Sequence, residues 1–540
     1  MTNKKTPKIV ISIVFGLILS LINTYGFYAS KKYNTFLYSG TFLERISLPW
    51  LLLGIILFVL FALLAYAGFS FLSGRKALSP GKELKLKRWQ YFLIFSAVIY
   101  VVYVIYLIGC YPGFFNYDMG NQLIQVMYDT PINTHHPLLH TLIGSWIIML
   151  GYHIKSIDLK FGIFLYNAVQ MAICAGCFGY TLAFLYSKLN KKLVLILGGI
   201  FYLFCPPIIM FAMSTTKDVP CYAFMTVACV CLFELYEKII EGDMVKRYEW
   251  ILTCGFIVLT CLLRNNIVYA VPFAGLVAIC LVKKVRIKQL IFWLCCLILP
   301  LAINKGLALA TGAASGSIAE AMSVPFQQIT RLYIEEGEEA FTEDELEYLY
   351  TIVDQECFSY YDPIIADKMK TSFWQHIDVI EADMGKFIGF WIKKGLEYPR
   401  WYIEAFLDNT YQAWYPFTIL HDTEKTRYFM VTEWDEEYSN PRIPALYYFF
   451  LKVYENEYQS WPVVRLFFTI GTMFVSLITA FFYAIWKKDM TALVPFVFTL
   501  LVCATCMLGP VSDLRYYLML FYMFPLSIVY MLKPTCNVVK

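Results

Sequence analysis

The chain has 540 residues, of which 59% are hydrophobic, 18% aromatic and only 16% charged, against about 45–50% apolar and about 25% charged in soluble domains. Because apolar runs of about 20 residues recur along it, a single soluble globule is excluded. The net charge of +4 is not gathered into a long basic run interleaved with aromatics, so nucleic acid is not an expected partner.

In chain order, apolar spans fall at 9–29, 48–72, 91–110, 160–187, 192–212, 219–239, 249–264, 266–282, 289–310, 462–486, 491–509 and 513–532, each near the length a helix needs to cross the hydrocarbon. They predict an all-α polytopic membrane protein of about 12 spanning helices in the cell membrane. Lys4, Lys5 and Lys8 precede the first span as in a signal peptide. Its apolar stretch is longer than such a peptide's and no A-x-A site follows, which makes it an uncleaved anchor. The stretch 137–154 is expected to lie in the outer interface or to re-enter, not to cross. Only then do the basic loops 75–88, 188–192, 238–247, 283–288 and 487–488, with both termini, all fall on the cytoplasmic side.

Segment 312–460 then faces outside. It holds 27 of the 40 acids and 11 of the 44 bases, hence −16 within it and +20 elsewhere. Its aromatic content, as in Phe373-Trp374 and Trp401-Tyr402, is too high for a disordered linker, so a folded, mainly helical, acidic domain is expected there. The organisation is two spans within 1–89, a core at 90–311 with a first external loop at 111–157, the external domain, and three spans within 461–540. The acidic run 335–347 reads as a solvated helix face.

Only Cys357 lies well inside the external domain, so no disulfide framework holds it. Cys174 with Cys177 and Cys503 with Cys506 have CxxC spacing inside apolar helices, where packing is the simpler reading and a zinc site lacks its other half. Walker A and GxSxG patterns and a strong internal repeat are absent.

The costly polar residues gather on the external side. The third span is followed by YPGFFNYDMGNQ (111–122) and THHP (134–137). Pro112 and Gly113 end the span, and Asp118 and Gln122 share a helix face. A lone carboxylate at an aromatic boundary is expected to have a raised pKa, which suits a general base; capping a surface helix is the alternative. His135 and His136 either cap the next helix, ligate metal or steer a phosphate. STTKD (214–218) supplies Lys217 and Asp218. Asp218 caps the following helix or faces Asp118, where the pair would hold Mg²⁺ or Mn²⁺. LLRNN (262–266) breaks an apolar run, and Arg264 at helix-centre depth would cost about 2.5–3.5 kcal/mol, so either the chain turns there with Arg264 in a polar cavity or the side chain snorkels to the interface. Lys305 and Arg515 stand at a similar level, and three such cations suggest a phosphate site. Gln327, Gln328 and Arg331 in SVPFQQITR either bind hydroxyls and phosphate or satisfy a helix start, and Trp414 and Tyr415 either stack on a sugar or join an interfacial belt.

From about residue 90 onward, the order P-G-x₄-D-x₃-Q, H-P, K-D, R-N-N and a late external domain resembles the GT-C superfamily of polyprenyl-phosphate-sugar-dependent glycosyltransferases. These include the protein O-mannosyltransferases and the lipid A aminoarabinose transferases. The P-x-Q-Q-x-x-R segment after the middle helices resembles an uncharacterised bacterial branch. The resemblance implies a GT-C-like fold, Asp118 and Asp218 as the acids of the first and second external loops, and Arg264 or Arg515 at the lipid phosphate. It further implies a polyprenyl-phosphate sugar donor and a glycan, lipid or protein acceptor. The chain departs from the mannosyltransferases in carrying Tyr117-Asp118-Met119 for an Asp-Glu pair and H-H-P for H-P-P. A transporter or flippase would instead spread ionisable residues across the membrane's depth, and a phospho-group transferase would need a bimetallic ligand set that His376 and His421 do not form.

Overall fold

The computed structural model describes residues 6–35, 47–74, 86–128, 130–155, 157–189, 195–418, 440–454, 457–461 and 463–532. Most of the basic loop 75–88, residues 190–192 and the stretch 419–439 with His421 lie outside the described residues.

Among the described residues the protein is 83% helical and has no strands. Nine of the described helices are long and apolar enough to cross a membrane. They include α1 (Thr6–Thr35), α2 (Leu48–Gly74), α3 (Arg88–Gly109) and, after the short α4 (Tyr117–Met127) and α5 (Leu138–Ile154), α6 (Leu159–Leu189). The expected span 192–212 is interrupted, with α7 (Ile200–Phe204) ending before α8 (Pro206–Ala212). Pro206 and Pro207 lack the N–H groups that would carry one helix across the join. Beyond α9 (Asp218–Glu241) and α10 (Arg247–Leu263), Arg264 is extended and a short 3₁₀ turn leads into α11 (Ala270–Leu281). The turn expected at Arg264 is therefore present, and the two segments flanking it are shorter than a full span. α12 (Arg286–Thr311) closes the first half.

Where both partners are apolar, burial alone gives helices little reason to prefer each other over lipid, so small residues set the close contacts. A Cβ on Gly16 of α1 would meet the backbone of Ala62 in α2 at 2.6 Å, and one on Gly151 of α5 would meet Gly162 of α6 at 2.6 Å. Gly179 of α6 meets Ser96 of α3 as closely.

Residues 318–402 carry their own apolar core, in which Phe326 of α13 (Ser323–Glu336) stacks on Phe373 of α14 (Asp367–Trp374) at 4.2 Å and 8°. Two backbone stitches fasten this unit to the loops beside it. Asn133 pairs with Ala314, through Thr134 N–H to Ala314 O at 2.9 Å, and Ile365 pairs with Val511, through Ala366 N–H to Pro510 O at 2.8 Å. The first holds the His135-His136 loop and the second the loop before Arg515. α15 (Pro399–Trp414) then packs against α1 and against α16 (Ile470–Lys487), which with α17 (Met490–Met507) and α18 (Leu518–Leu532) ends the described chain.

Candidate functional site

The loop that follows α3 is fixed by its contact with the 214–218 link. Gly113 has φ +95°, and a Cβ there would meet Met213 O at 2.7 Å, so glycine both relieves the left-handed backbone and permits the approach. Phe114 N–H then donates to Met213 O at 2.8 Å, and Thr215 N–H donates back to Phe114 O at 3.0 Å. Asn116 N–H donates to Thr215 Oγ1 at 2.8 Å, while its side chain accepts from Asp118 N–H and caps α4. Two residues beyond these anchors on either side stand Asp118 and Lys217.

Asp118 Oδ2 accepts from Lys217 Nζ at 2.9 Å and from Arg515 Nη1 at 2.9 Å. Arg515 also places Nε 3.4 Å from Asp218 Oδ2, so one guanidinium spans both acids. Asp218 is fully buried, pairs with Arg264 and accepts from Thr216 Oγ1 at 3.1 Å. Arg264 is held by Asn266 at 2.9 Å and lies over the Tyr516 ring at 4.6 Å, and Tyr516 OH in turn accepts from Arg515 at 3.1 Å. The structure thus unites Asp118, Lys217, Asp218, Arg264 and Arg515. Lys305 is exposed on α12, and the third cation beside the two arginines is Lys217.

The raised pKa expected for Asp118 is not found. Burial pushes its carboxyl up, but Arg515 and Lys217 outweigh this and hold it well below the usual carboxylate range. His136 Nδ1 lies 3.1 Å from Lys217 Nζ, and burial together with Lys217 lowers its pKa to about 2. The ring is therefore neutral and accepts from the ammonium. His135 is more exposed, with Nδ1 3.8 Å from Glu320.

Gln122 points to a buried relay that the sequence reading missed. His140 Nδ1 is 2.6 Å from Gln122 Oε1, its Nε2 is 2.6 Å from Tyr166 OH, and Tyr166 reaches Gln170 Oε1 at 3.1 Å. Gln170 Nε2 donates to the carbonyl of Ser214 at 2.7 Å, which returns the relay to the Lys217 link. Polar residues four apart, as at 136/140 and 166/170, were the available signal in otherwise apolar helices.

Other expected site residues sit elsewhere. Gln327 donates to Asp362 O at 2.6 Å, Gln328 to Tyr402 O at 3.0 Å, and Arg331 pairs with Glu335 at 3.0 Å beside Glu404 and Asp408. Gln328 and Arg331 tie α13 to α15, and Gln327 ties it to the loop before α14. Trp414 and Tyr415 are buried, Trp414 beside Tyr25 and Tyr415 against Gly26 of α1, so neither presents a face for stacking.

Mg²⁺ or Mn²⁺ between Asp118 and Asp218 fits this donor set poorly. Both carboxylates are engaged by cations, which a metal ion there would have to displace. The arrangement suits an anion entering beside Lys217 and Arg264, whose side chains remain 13% and 12% exposed.

Fold and site together define a helical protein of membrane-spanning dimensions with a largely buried cluster of charged side chains near where its helical bundle meets a second helical unit. The chain belongs to DUF6020, a family of unknown function, whose sequence model matches residues 126–537. That match takes in Lys217, Asp218, Arg264 and Arg515 and begins after Asp118. No curated protein and no solved structure matches the chain.

Proposed function

We propose that the protein is a membrane glycosyltransferase that moves a sugar from a polyprenyl-phosphate donor to an acceptor hydroxyl on the external face of the cell membrane, inverting the anomeric carbon. The observation that carries this reading is Arg515 bridging Asp118 and Asp218 while Lys217 and Arg264 flank them. Lys217 and Arg264 keep part of their side chains exposed beside this bridge, where a phosphate could meet them. The GT-C resemblance of the motif order supports the same reading.

Donor phosphate takes up Lys217 and Arg264, while Arg515 keeps the two carboxylates in register. Drawing Lys217 away removes one of the cations that depress Asp118, so the carboxylate becomes a stronger base when the donor is bound. The acceptor O–H gives its proton to Asp118 as its oxygen bonds to the anomeric carbon from the face opposite the phosphate. The bond from that carbon to the phosphate oxygen breaks, and its electron pair leaves on polyprenyl phosphate, whose charge the two cations balance.

Transfer from a labelled polyprenyl-phosphate sugar to membrane extract tests this. Asp118→Asn is expected to slow transfer by about 10²–10⁴-fold while the protein remains folded and extractable. Wild-type rates in that variant remove Asp118 from the mechanism, and no transfer by the wild type with any such donor removes the reading.

A further inference from the structure

Near this cluster, one face of α14 is partly exposed. Its Met369 and Phe373 are buried in the core of the second helical unit. Asp367, Lys370 and Trp374, spaced i, i+3 and i+7, therefore share the other side of the helix. Trp374 is 40% exposed. Its ring centroid lies 6.4 Å from that of His135, which lies 4.5 Å from that of His136, the residue that contacts Lys217. Lys370 Nζ is held by Asp367 at 2.9 Å and by Glu320 at 3.0 Å, and Glu320 also faces His135. An indole, an imidazole, two carboxylates and an ammonium thus lie together, joined through His136 and Lys217 to Asp118.

A pyranose ring offers an apolar C–H face and an edge of hydroxyls, and a flat aromatic with carboxylate acceptors and an ammonium donor beside it matches both. A tryptophan at this level could instead anchor in the bilayer interface. The ring contact with His135 and the Asp367–Lys370–Glu320 ion pairs on the same side of α14 set Trp374 in a polar cluster instead.

We propose that Trp374, His135, Glu320, Asp367 and Lys370 form an acceptor subsite for a neutral pyranoside unit, so that the acceptor is a carbohydrate rather than a protein. The proposal rests on the transferase reading and narrows its acceptor class. Trp374 supplies the stacking face, and the carboxylates accept hydrogen bonds from the hydroxyls and orient the sugar toward Asp118.

The test is binding of chitotetraose, maltotetraose and cellotetraose to the full-length protein in detergent, by saturation-transfer NMR and calorimetry. At least one is expected to bind the wild type, to lose about tenfold or more in affinity with Trp374→Ala, and to bind Trp374→Tyr nearly as well as wild type. Should Trp374→Ala fail to fold, Glu320→Gln carries the test, with a smaller loss expected. Failure of all three sugars to bind wild type, or equal binding to the folded Trp374 and Glu320 variants, overturns the subsite. Because binding needs no donor, Trp374-dependent binding without sugar transfer upholds the subsite and counts against the transferase reading alone. Transfer to peptide that is unchanged in Trp374→Ala does the reverse.

Discussion

Arg515 Nη1 sits 2.9 Å from Asp118 Oδ2 although the two residues are separated by most of the chain. The same guanidinium reaches Asp218, which has no exposed surface. Removing it leaves a buried carboxylate short of a partner, a change that typically costs about 3–5 kcal/mol. Arg515→Gln is therefore expected to lower the melting temperature in detergent and to abolish transfer. Arg515→Lys, whose single ammonium cannot fork across two acids, is expected to recover part of the stability and little of the activity. An unchanged melting temperature in Arg515→Gln would show that the bridge contributes nothing to the fold.

The depressed pKa of Asp118 gives a pH signature. A carboxyl held below its unfolded value contributes stability that is fully present above that value, about 4, and is lost only as pH falls through the lower, folded value. Melting temperature should thus show no loss attributable to Asp118 between pH 7 and pH 5, and Asp118→Asn should lower it by a similar amount at both. A wild-type loss over that interval that vanishes in Asp118→Asn would contradict the double pairing.

Glu404 behaves in the opposite sense. Burial, with Asp408 beside it, raises its pKa to about 7 against the opposing pull of Arg331, Lys32 and Arg400. Its cost to the fold is absent below its unfolded pKa of about 4.3, grows as pH rises, and is complete above about 7, with an upper bound of about 4 kcal/mol. Glu404→Gln should melt at a higher temperature than wild type at pH 8 and show little advantage at pH 5. Parallel curves for the two proteins across that range would rule out the buried proton.

Gly113 and Gly120 make a matched pair. A Cβ on Gly113 meets Met213 O at 2.7 Å with φ at +95°, whereas one on Gly120 meets only the Phe115 ring, at 3.6 Å. Gly113→Ala should lower the melting temperature and slow transfer, because it pushes the first loop off the 214–218 link. The left-handed backbone alone costs about 1–2 kcal/mol. Gly120→Ala should leave both unchanged or raise stability slightly. Equal behaviour of the two variants would mean that the loop contact does not position Asp118.

Much of the helix pattern was legible in the sequence because hydrocarbon-length apolar runs are local. The break at Arg264 was legible too, since an arginine in such a run has few other resolutions. The interruption at Cys205–Pro206 was missed by counting apolar residues and ignoring Pro206-Pro207. Trp414 and Tyr415 were misjudged for a different reason. Aromatic character says nothing about which helix will cover a side chain, and here α1 does.

Composition and apolar spacing, being properties of neighbouring residues, were enough to establish a helical, membrane-dimensioned chain and to single out Asp118, Lys217, Asp218, Arg264 and Arg515. Only the packed structure decided that these five meet, that His140 and Tyr166 back them, and that Arg331 serves the α13–α15 seam instead. Coulomb interactions and hydrogen bonds act over a few ångströms. Distance in space, which chain order does not encode, therefore sets whether an acid is paired, buried or free to take a proton.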